Sequence, residues 1–489
     1  MNQEMMSLIK GFEDQVSGAG IIELLKAMEA NEGVTDVSQL AGASALQPQS
    51  LEATVVSLLF DESYFKVMNR IEKNKTYSTL HEYTKRTSFG QYNRGGVVGQ
   101  MENPRQGDPA FKRDTANIKF QRELWSISSV LAASKTITDT EVEAKDAATM
   151  RLMETAEYLY FFGDSSIIPE EPDGLDATIE RQPNSKELII DLRGAKLSEA
   201  VLKEACKRIA DKTGLANDMY ISYNVQNQID QMIQPASAGV TGGQRMVQNN
   251  GNLIFDLGYL IPGFKATFAL NGRVTFIPDF FLKPEDEGVP TIINQNGNTT
   301  EGATSDMAPA MPTILSATAG PLASTEFAAP YLGATKYRVA GQNRFGKSKA
   351  STEVSVTIGA GQAVTLVIQE TGQTNFADGY VIYRETKPGN GIFRRVTRIA
   401  RDTSNVNLQT TWVDKNTYIP GTSSAYIGDF NSRGANTPLR TTSITQLMPV
   451  HSTRYSIIGP YLWGAVNFYW TPIFYAINKF IKIRNIGIE

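Results

Sequence analysis

The sequence predicts an α+β fold interrupted by an inserted all-β sandwich. Three observations lead there. One long helical pattern occupies the end of the first third of the chain, and a long polar hairpin precedes it. Six short strands then stand between two stretches of the same mixed character. At 489 residues the chain exceeds what one core usually fills, so two or three domains are expected.

The helical pattern lies within Thr136–Leu175, TITDTEVEAKDAATMRLMETAEYLYFFGDSSIIPEEPDGL. Thr138 stands in the N-cap position, with Glu141 three residues on, as in a capping box. Ala144, Ala147, Leu152, Ala156, Leu159 and Tyr160 recur at three- and four-residue spacing, while Glu141, Lys145, Arg151 and Glu154 fall off that stripe. Gly163 closes the helix where a left-handed residue is easiest to place. Such a helix is about 35 Å long at 1.5 Å per residue. Gly163-Asp164 and Pro172-Asp173-Gly174-Leu175 follow as a pair of turns.

Ahead of the helix the charge changes sign. Residues 1–65 read as an acidic arm. Within 1–46, Glu4, Glu13, Asp14, Glu23, Glu29, Glu32 and Asp36 face only Lys10 and Lys26, a net of -5. Residues 66–123 carry twelve basic and six acidic residues, a net of +6. Thr76–Ser88 and Ala116–Ser129 alternate polar and apolar as strands do, and glycines 90, 95, 96, 99 and 107 lie between them. The pattern predicts one largely solvated hairpin whose arms reach on the order of 50 Å. Two strands alone are marginal in water, so it needs a partner surface.

Residues 124–185 hold the helix, and 186–311 read as a mixed unit. Ser198 is placed to cap a helix through Val201, Leu202, Ala205 and Ile209, with a strand at Met219–Ser222 and a helix at Asn224–Ile233. Residues 312–430 are all-β, with strands at Lys336–Ala340, Val354–Ile358, Val364–Gln369, Gly379–Arg384, Phe393–Ile399 and Thr410–Val413. From 431 to 489 the earlier type returns, which makes the sandwich an insertion. Tyr455–Asn478 holds no charge, yet Gly459, Pro460, Gly464 and Pro472 interrupt it, so it reads as bent buried strand rather than a membrane span. The closing KFIKIRNIG alternates like a strand.

Little in the chain supports chemistry. Cys206 is the only cysteine, on a helical stripe, and reads as a packed thiol. His81 and His451 have no metal-ligand spacing, and Glu170 and Glu171 read as a solvated turn. Gly341–Ser348 matches the phosphate-loop pattern GxxxxGK[ST]. Phosphate binding would need a helix from Lys347, and the β-branched run after Ser348 predicts strand. The segment reads as a turn in which Asn343 and Gly346 supply positive φ. No catalytic set, cofactor or metal is expected. The net charge of -4 argues against a dedicated nucleic-acid binder, and residues 1–20 lack the pattern of a signal peptide.

The order of these elements is similar to that of the major capsid proteins of tailed bacteriophages with the Hong Kong 97-type fold. The specific residues are Gly163-Asp164 and Pro172-Asp173-Gly174-Leu175. The segments YRVAGQNRFGKS at Tyr337–Ser348 and GYVIYRET at Gly379–Thr386 resemble immunoglobulin or fibronectin type III modules, in reversed order, as in a permuted sandwich. The resemblance makes 66–123 the extended loop, the helix the spine of the peripheral domain, and 186–311 axial and peripheral. It implies hexamers and pentamers in an icosahedral shell around double-stranded DNA, assembled in the host cytoplasm and located in the virion. Scaffolding, portal and decoration or minor capsid proteins are the implied partners, with no membrane. The implied contacts between subunits are Lys73, Lys75, Lys85, Arg86, Arg94, Arg105, Lys112 and Arg113, and the implied maturation cleavage follows Glu29 in Ala27-Met28-Glu29. A phage tail or adhesion protein that binds through the sandwich is the alternative, and leaves the basic hairpin unexplained. An enzyme built on Gly341–Ser348 would require a helix after Ser348.

Overall fold

Asp139 starts the long helix. Its backbone is extended, and its carboxylate accepts the Glu141 amide at 2.9 Å. The cap is therefore Asp139. Thr138 lies outside the described residues, which are 62–90, 99–101, 103, 107–134, 139–233, 247–249, 252–254, 265–268, 272–293, 298–371, 375–405, 408–430, 440–456 and 459–488 of the computed structural model. The helix runs Thr140–Phe162 and buries Ala148, Leu152, Ala156, Glu157, Tyr160 and Phe161. Ala147, expected on the apolar stripe, is exposed, and Ala148 takes its place.

The helix lies on a four-stranded sheet ordered Lys73–Lys75, Thr442–Arg454, Tyr461–Phe474, Lys119–Ser128. Leu152, Ala156 and Tyr160 share one core with Trp125, Val466, Phe468, Trp470 and Phe474. The uncharged C-terminal stretch supplies the strand Tyr461–Phe474, which is almost wholly buried from Gly464 onward. Among the described residues no helix is long and apolar enough to cross a membrane.

The predicted second arm of the hairpin divides. Leu80–Ser88 pairs antiparallel with Ala110–Asn117. Ile118 is buried, and beyond it Lys119–Ser128 leaves the hairpin to pair with Tyr461–Trp470. The arms of nine and eight residues therefore reach only about 30 Å. Trp125 and Ile127 explain the division, because they are buried side chains that only the sheet can cover.

A second sheet, of six strands, is ordered Ile189–Asp191, Phe480–Ile486, Ser423–Gly428, Asp218–Ile221, Gly272–Pro278, Lys265–Phe268. Its second and third strands follow the sandwich in sequence, so the chain completes after residue 420 what it began before residue 312. The helix Glu199–Asp211 packs on this sheet through Leu202, Ala205, Cys206 and Ile209. Ser198 is its N-cap by position but makes no capping hydrogen bond.

The six predicted strands of the sandwich are all present, joined by Thr313–Pro321 and the two-residue Gly346–Lys347. Thr313–Pro321, Gln362–Gln369 and Gln409–Asp414 form one sheet. Gly333–Asn343, Gly379–Glu385 and Phe393–Ala400 form the other, with Val354–Ile358 and Gly346–Lys347 paired to Gly333–Asn343. Val364, Leu366 and Ile368 from the first meet Tyr337, Val339, Tyr380 and Ile382 from the second. Arg384, 1% exposed, pins the two sheets together by reaching Asp414 at 2.5 Å and Asn416 at 2.6 Å.

Gly163 ends the long helix for a reason other than the expected one. Its φ is -61°, not left-handed. A Cβ there would collide with the Pro172 carbonyl oxygen and stand 2.7 Å from that of Leu159. Gly174 is crowded in the same way by Phe161 and Leu159, and its amide donates to the Gly163 carbonyl at 2.9 Å. Asp173 accepts the Ser165 amide at 3.0 Å and Arg181 at 2.8 Å, and Arg181 also meets Asp164. The two turns are one knot closed by Arg181. Gly163→Ala is expected to destabilise the chain by about 1–3 kcal/mol in denaturant unfolding, the usual cost of overpacking.

Candidate assembly surfaces

The hairpin buries none of its residues in either strand. It carries four basic residues, Lys85, Arg86, Lys112 and Arg113, against Glu82 and Asp114. Lys85 and Lys112 converge on Asp114 at 2.9 and 3.1 Å, and Arg113 reaches Glu82 at 3.4 Å. The Lys85 hydrogen bond is the chief reason Asp114 titrates below the usual carboxylate range. Arg86 stacks over Phe89 and Phe111, which are 85% and 59% exposed. At the base, Tyr83 packs edge-on against Tyr475 with ring centres 5.1 Å apart. These are weak ties. Exposed ion pairs contribute about 0–1 kcal/mol each.

The structure thus brings four of the eight expected contact residues together on the hairpin. Lys73 and Lys75 lie elsewhere, on the strand that runs parallel to 444–446 at the edge of the four-stranded sheet. Arg94, Arg105 and Glu29 lie outside the described residues.

The inserted sandwich is fastened to the helix end by partly buried charges that carry no signal in the sequence. Arg395 contacts Tyr158 Oη at 2.5 Å and Glu287 at 2.7 Å, and Lys347 reaches the same Glu287 at 2.5 Å. Arg398 binds Glu171 at 2.7 Å and the Phe162 carbonyl at 3.3 Å. Glu171 is therefore a largely covered partner rather than the solvated group expected, because the helix end and the sandwich close over it; Glu170 stays half exposed. Burial alone would raise Glu287, but Arg395 and Lys347 override it and hold it at about 2.

The phosphate-loop-like segment belongs to this interface. Strands Gly333–Asn343 and Gly346–Lys347 flank a tight turn, and strand, not helix, follows at Val354–Ile358. Asn343 ends a strand instead of adopting positive φ; its Oδ1 accepts the amides of Phe345 and Gly346 at 2.9 and 3.1 Å. Lys347, which would hold a phosphate, is committed to Glu287.

No family model matches the chain. It is 22% identical over 470 residues to the major capsid protein of Staphylococcus phage K, and those residues cover 95% of each chain. The figures for the major capsid protein of Staphylococcus phage S25-3 are the same. Among solved structures it is similar to the capsid of an empty GTA particle, with a TM-score of 0.45 at 8% identity over 92% of this chain and 99% of that one. A chain of Mycobacterium phage Adephagia is similar with a TM-score of 0.42 at 6% identity, over 91% of this chain and 96% of that one.

Glu287 sets a pH dependence. Its folded pKa lies below the ordinary value of 4.5, so its contribution is complete above that value and is lost as pH falls toward about 2. The thermal midpoint should drop over this window in the native chain and less in Glu287→Gln. Arg395→Ala should cost about 1.5–3 kcal/mol at pH 7 by denaturant unfolding, the usual cost of losing a charged hydrogen bond, since Lys347 still pairs with Glu287.

Proposed function

We propose that this chain is the major capsid protein of a tailed phage and builds an icosahedral shell of hexamers and pentamers around double-stranded DNA. The observation that carries the reading is the likeness to phage major capsid proteins along nearly the whole of both chains. A likeness over 470 residues runs along nearly the whole chain rather than one segment of it.

The physical organisation supports it. A well-buried body carries one hairpin that buries nothing of its own. Such a ribbon gains stability only by lying on another surface, and its basic and aromatic groups suit the rim of a neighbouring copy. In this reading the fold is of the Hong Kong 97 type, with 1–65 the arm, 66–123 the extended-loop region, 124–185 and 186–311 the peripheral and axial parts, and 431–489 the return to the core. Residues 312 to about 420 are an immunoglobulin-like insertion, since Ser423–Gly428 already pairs in the six-stranded sheet of the body. Its sheet contents support a permuted module, since the YRVAGQN and GYVIYR strands lie side by side with Val339 opposite Ile382. Lys85, Arg86, Lys112 and Arg113 are the contacts proposed on the hairpin, with Lys73, Lys75, Arg94 and Arg105 adding to them. The chain acts as a structural protein of the virion, assembled in the host cytoplasm with scaffolding and portal proteins. Glu29 marks a proposed cleavage of the arm.

Assembly tests the reading. The full chain, expressed with and without a scaffolding partner, should give rings, sheets or closed shells in negative-stain electron microscopy. Replacing residues 81–116 with a short glycine linker should abolish them while circular dichroism and thermal melting stay close to native. A chain that stays monomeric under all these conditions refutes the proposal.

A further inference from the structure

Glu157 is the one charged residue on the buried face of the long helix. Its Oε1 accepts the Val67 amide at 2.6 Å and its Oε2 the Met68 amide at 3.0 Å. Those amides open the short turn Val67–Arg70, whose neighbourhood is sunk in the main core through Phe65, Val67, Met68 and Ile71. The carboxyl facing Glu157 is that of Asp279, 0% exposed and just past the strand Gly272–Pro278, on a segment whose Phe281 ring stacks on Phe65 with centres 5.2 Å apart. Asp279 Oδ1 accepts the Phe281 amide at 2.9 Å, and its own amide donates to the Ile221 carbonyl. Its Oδ2 has no donor while both carboxyls are ionised.

Two carboxylates side by side in a dry site cannot both stay charged. One shared proton removes the repulsion and gives Asp279 Oδ2 the donor it lacks, while Glu157 still accepts both amides. Among the described residues no ammonium or guanidinium forms an ion pair with either group. Lys66 and Lys73 face the pair from the incoming segment and the strand after it, but Lys66 bonds the Ser63 carbonyl. Tyr160 faces it from the helix, and Tyr220 and Tyr223 from the second sheet and its following helix; Asp218, beside Tyr220, is held by Arg70 at 3.1 Å.

We propose that Glu157 and Asp279 form a proton-operated latch on residues 65–71, closed while they share a proton and released as that proton leaves at alkaline pH. Residues 65–71 lead into the strand Lys73–Lys75, so the latch sets how firmly this incoming segment is held to the long helix. Every group lies within one chain, and the latch does not depend on shell formation. Burial first, then the charge of Asp279, pushes Glu157 up to about 8; burial likewise raises Asp279 to about 6. The closed form therefore binds a proton that the open form releases. Opening becomes about tenfold more favourable per pH unit between about 6 and about 8.

Hydrogen exchange on the full chain tests this, with rates corrected for the intrinsic effect of pH. Between pH 6 and 8.5 the protection of the Val67 and Met68 amides should fall by about a hundredfold, while the amides of Phe480–Ile486 serve as an unchanged reference. Asp279→Asn removes the like charge and places an amide donor beside Glu157 while its burial remains, so the fall in protection at 67–68 should move to lower pH and flatten above pH 6. Glu157→Gln removes a titrating group from the other side and should flatten the profile too, which keeps the test open should Asp279→Asn fail to fold. Equal protection at both pH values in the native chain overturns the latch, as does a variant that folds and keeps the native slope.

Discussion

Everything else in the body rests on the central strand Tyr461–Phe474. It pairs with Thr442–Arg454 on one side and with Lys119–Ser128 on the other, so the sheet has no continuity without it. It also seats the long helix. Tyr160 meets Phe474 with ring centres 5.5 Å apart, and Gln121 accepts the Trp470 indole N–H at 3.1 Å while donating to the Leu152 carbonyl at 3.0 Å. Gln121 thus ties strand to strand and sheet to helix with a single amide. Once the helix is fixed, its C-terminal knot is fixed, and the knot presents Phe162 and Glu171 to the arginines of the sandwich.

The molecule divides its interactions sharply. The body and its insertion are joined by charges that are largely covered, where losing one partner is costly. The hairpin relies on solvated pairs and one edge-on ring contact. A body of this kind keeps its shape, while the ribbon takes the shape of what it touches. In the proposed shell that is the division of labour a subunit needs, since each copy must be identical inside and adaptable at its borders.

Much of this was legible in the sequence. Period-two alternation located all six sandwich strands, and period-four spacing located the long helix, because both patterns report which side faces a core. The same patterns could not report which partner covers that side. Ala116–Ser129 alternates without a break, yet its first residues belong to the hairpin and the rest to a strand whose partner lies more than 300 residues away. Gly163 was legible as a necessary glycine, but the need comes from the approach of Pro172, which no local rule contains. On the candidate surfaces, Lys85, Arg86, Lys112 and Arg113 were legible as a hairpin cluster, while Lys73 and Lys75 belong to the sheet edge. The buried charges Glu157, Glu171, Glu287, Arg395 and Arg398 were not legible. A charged residue defaults to the solvent side unless a specific partner is known, and their partners are distant in sequence.

The late return of the chain to its own core has a consequence for synthesis. Asn74 bonds Arg440, 366 residues on, and Arg122 bonds Tyr469, 347 residues on. The sandwich pairs only with itself and closes within about a hundred residues of sequence. On the ribosome the insertion can therefore finish folding while the body around it is still open, and the body must wait for its last strands. The topology thus sets an order of folding as well as a shape, with the insertion first and the body last.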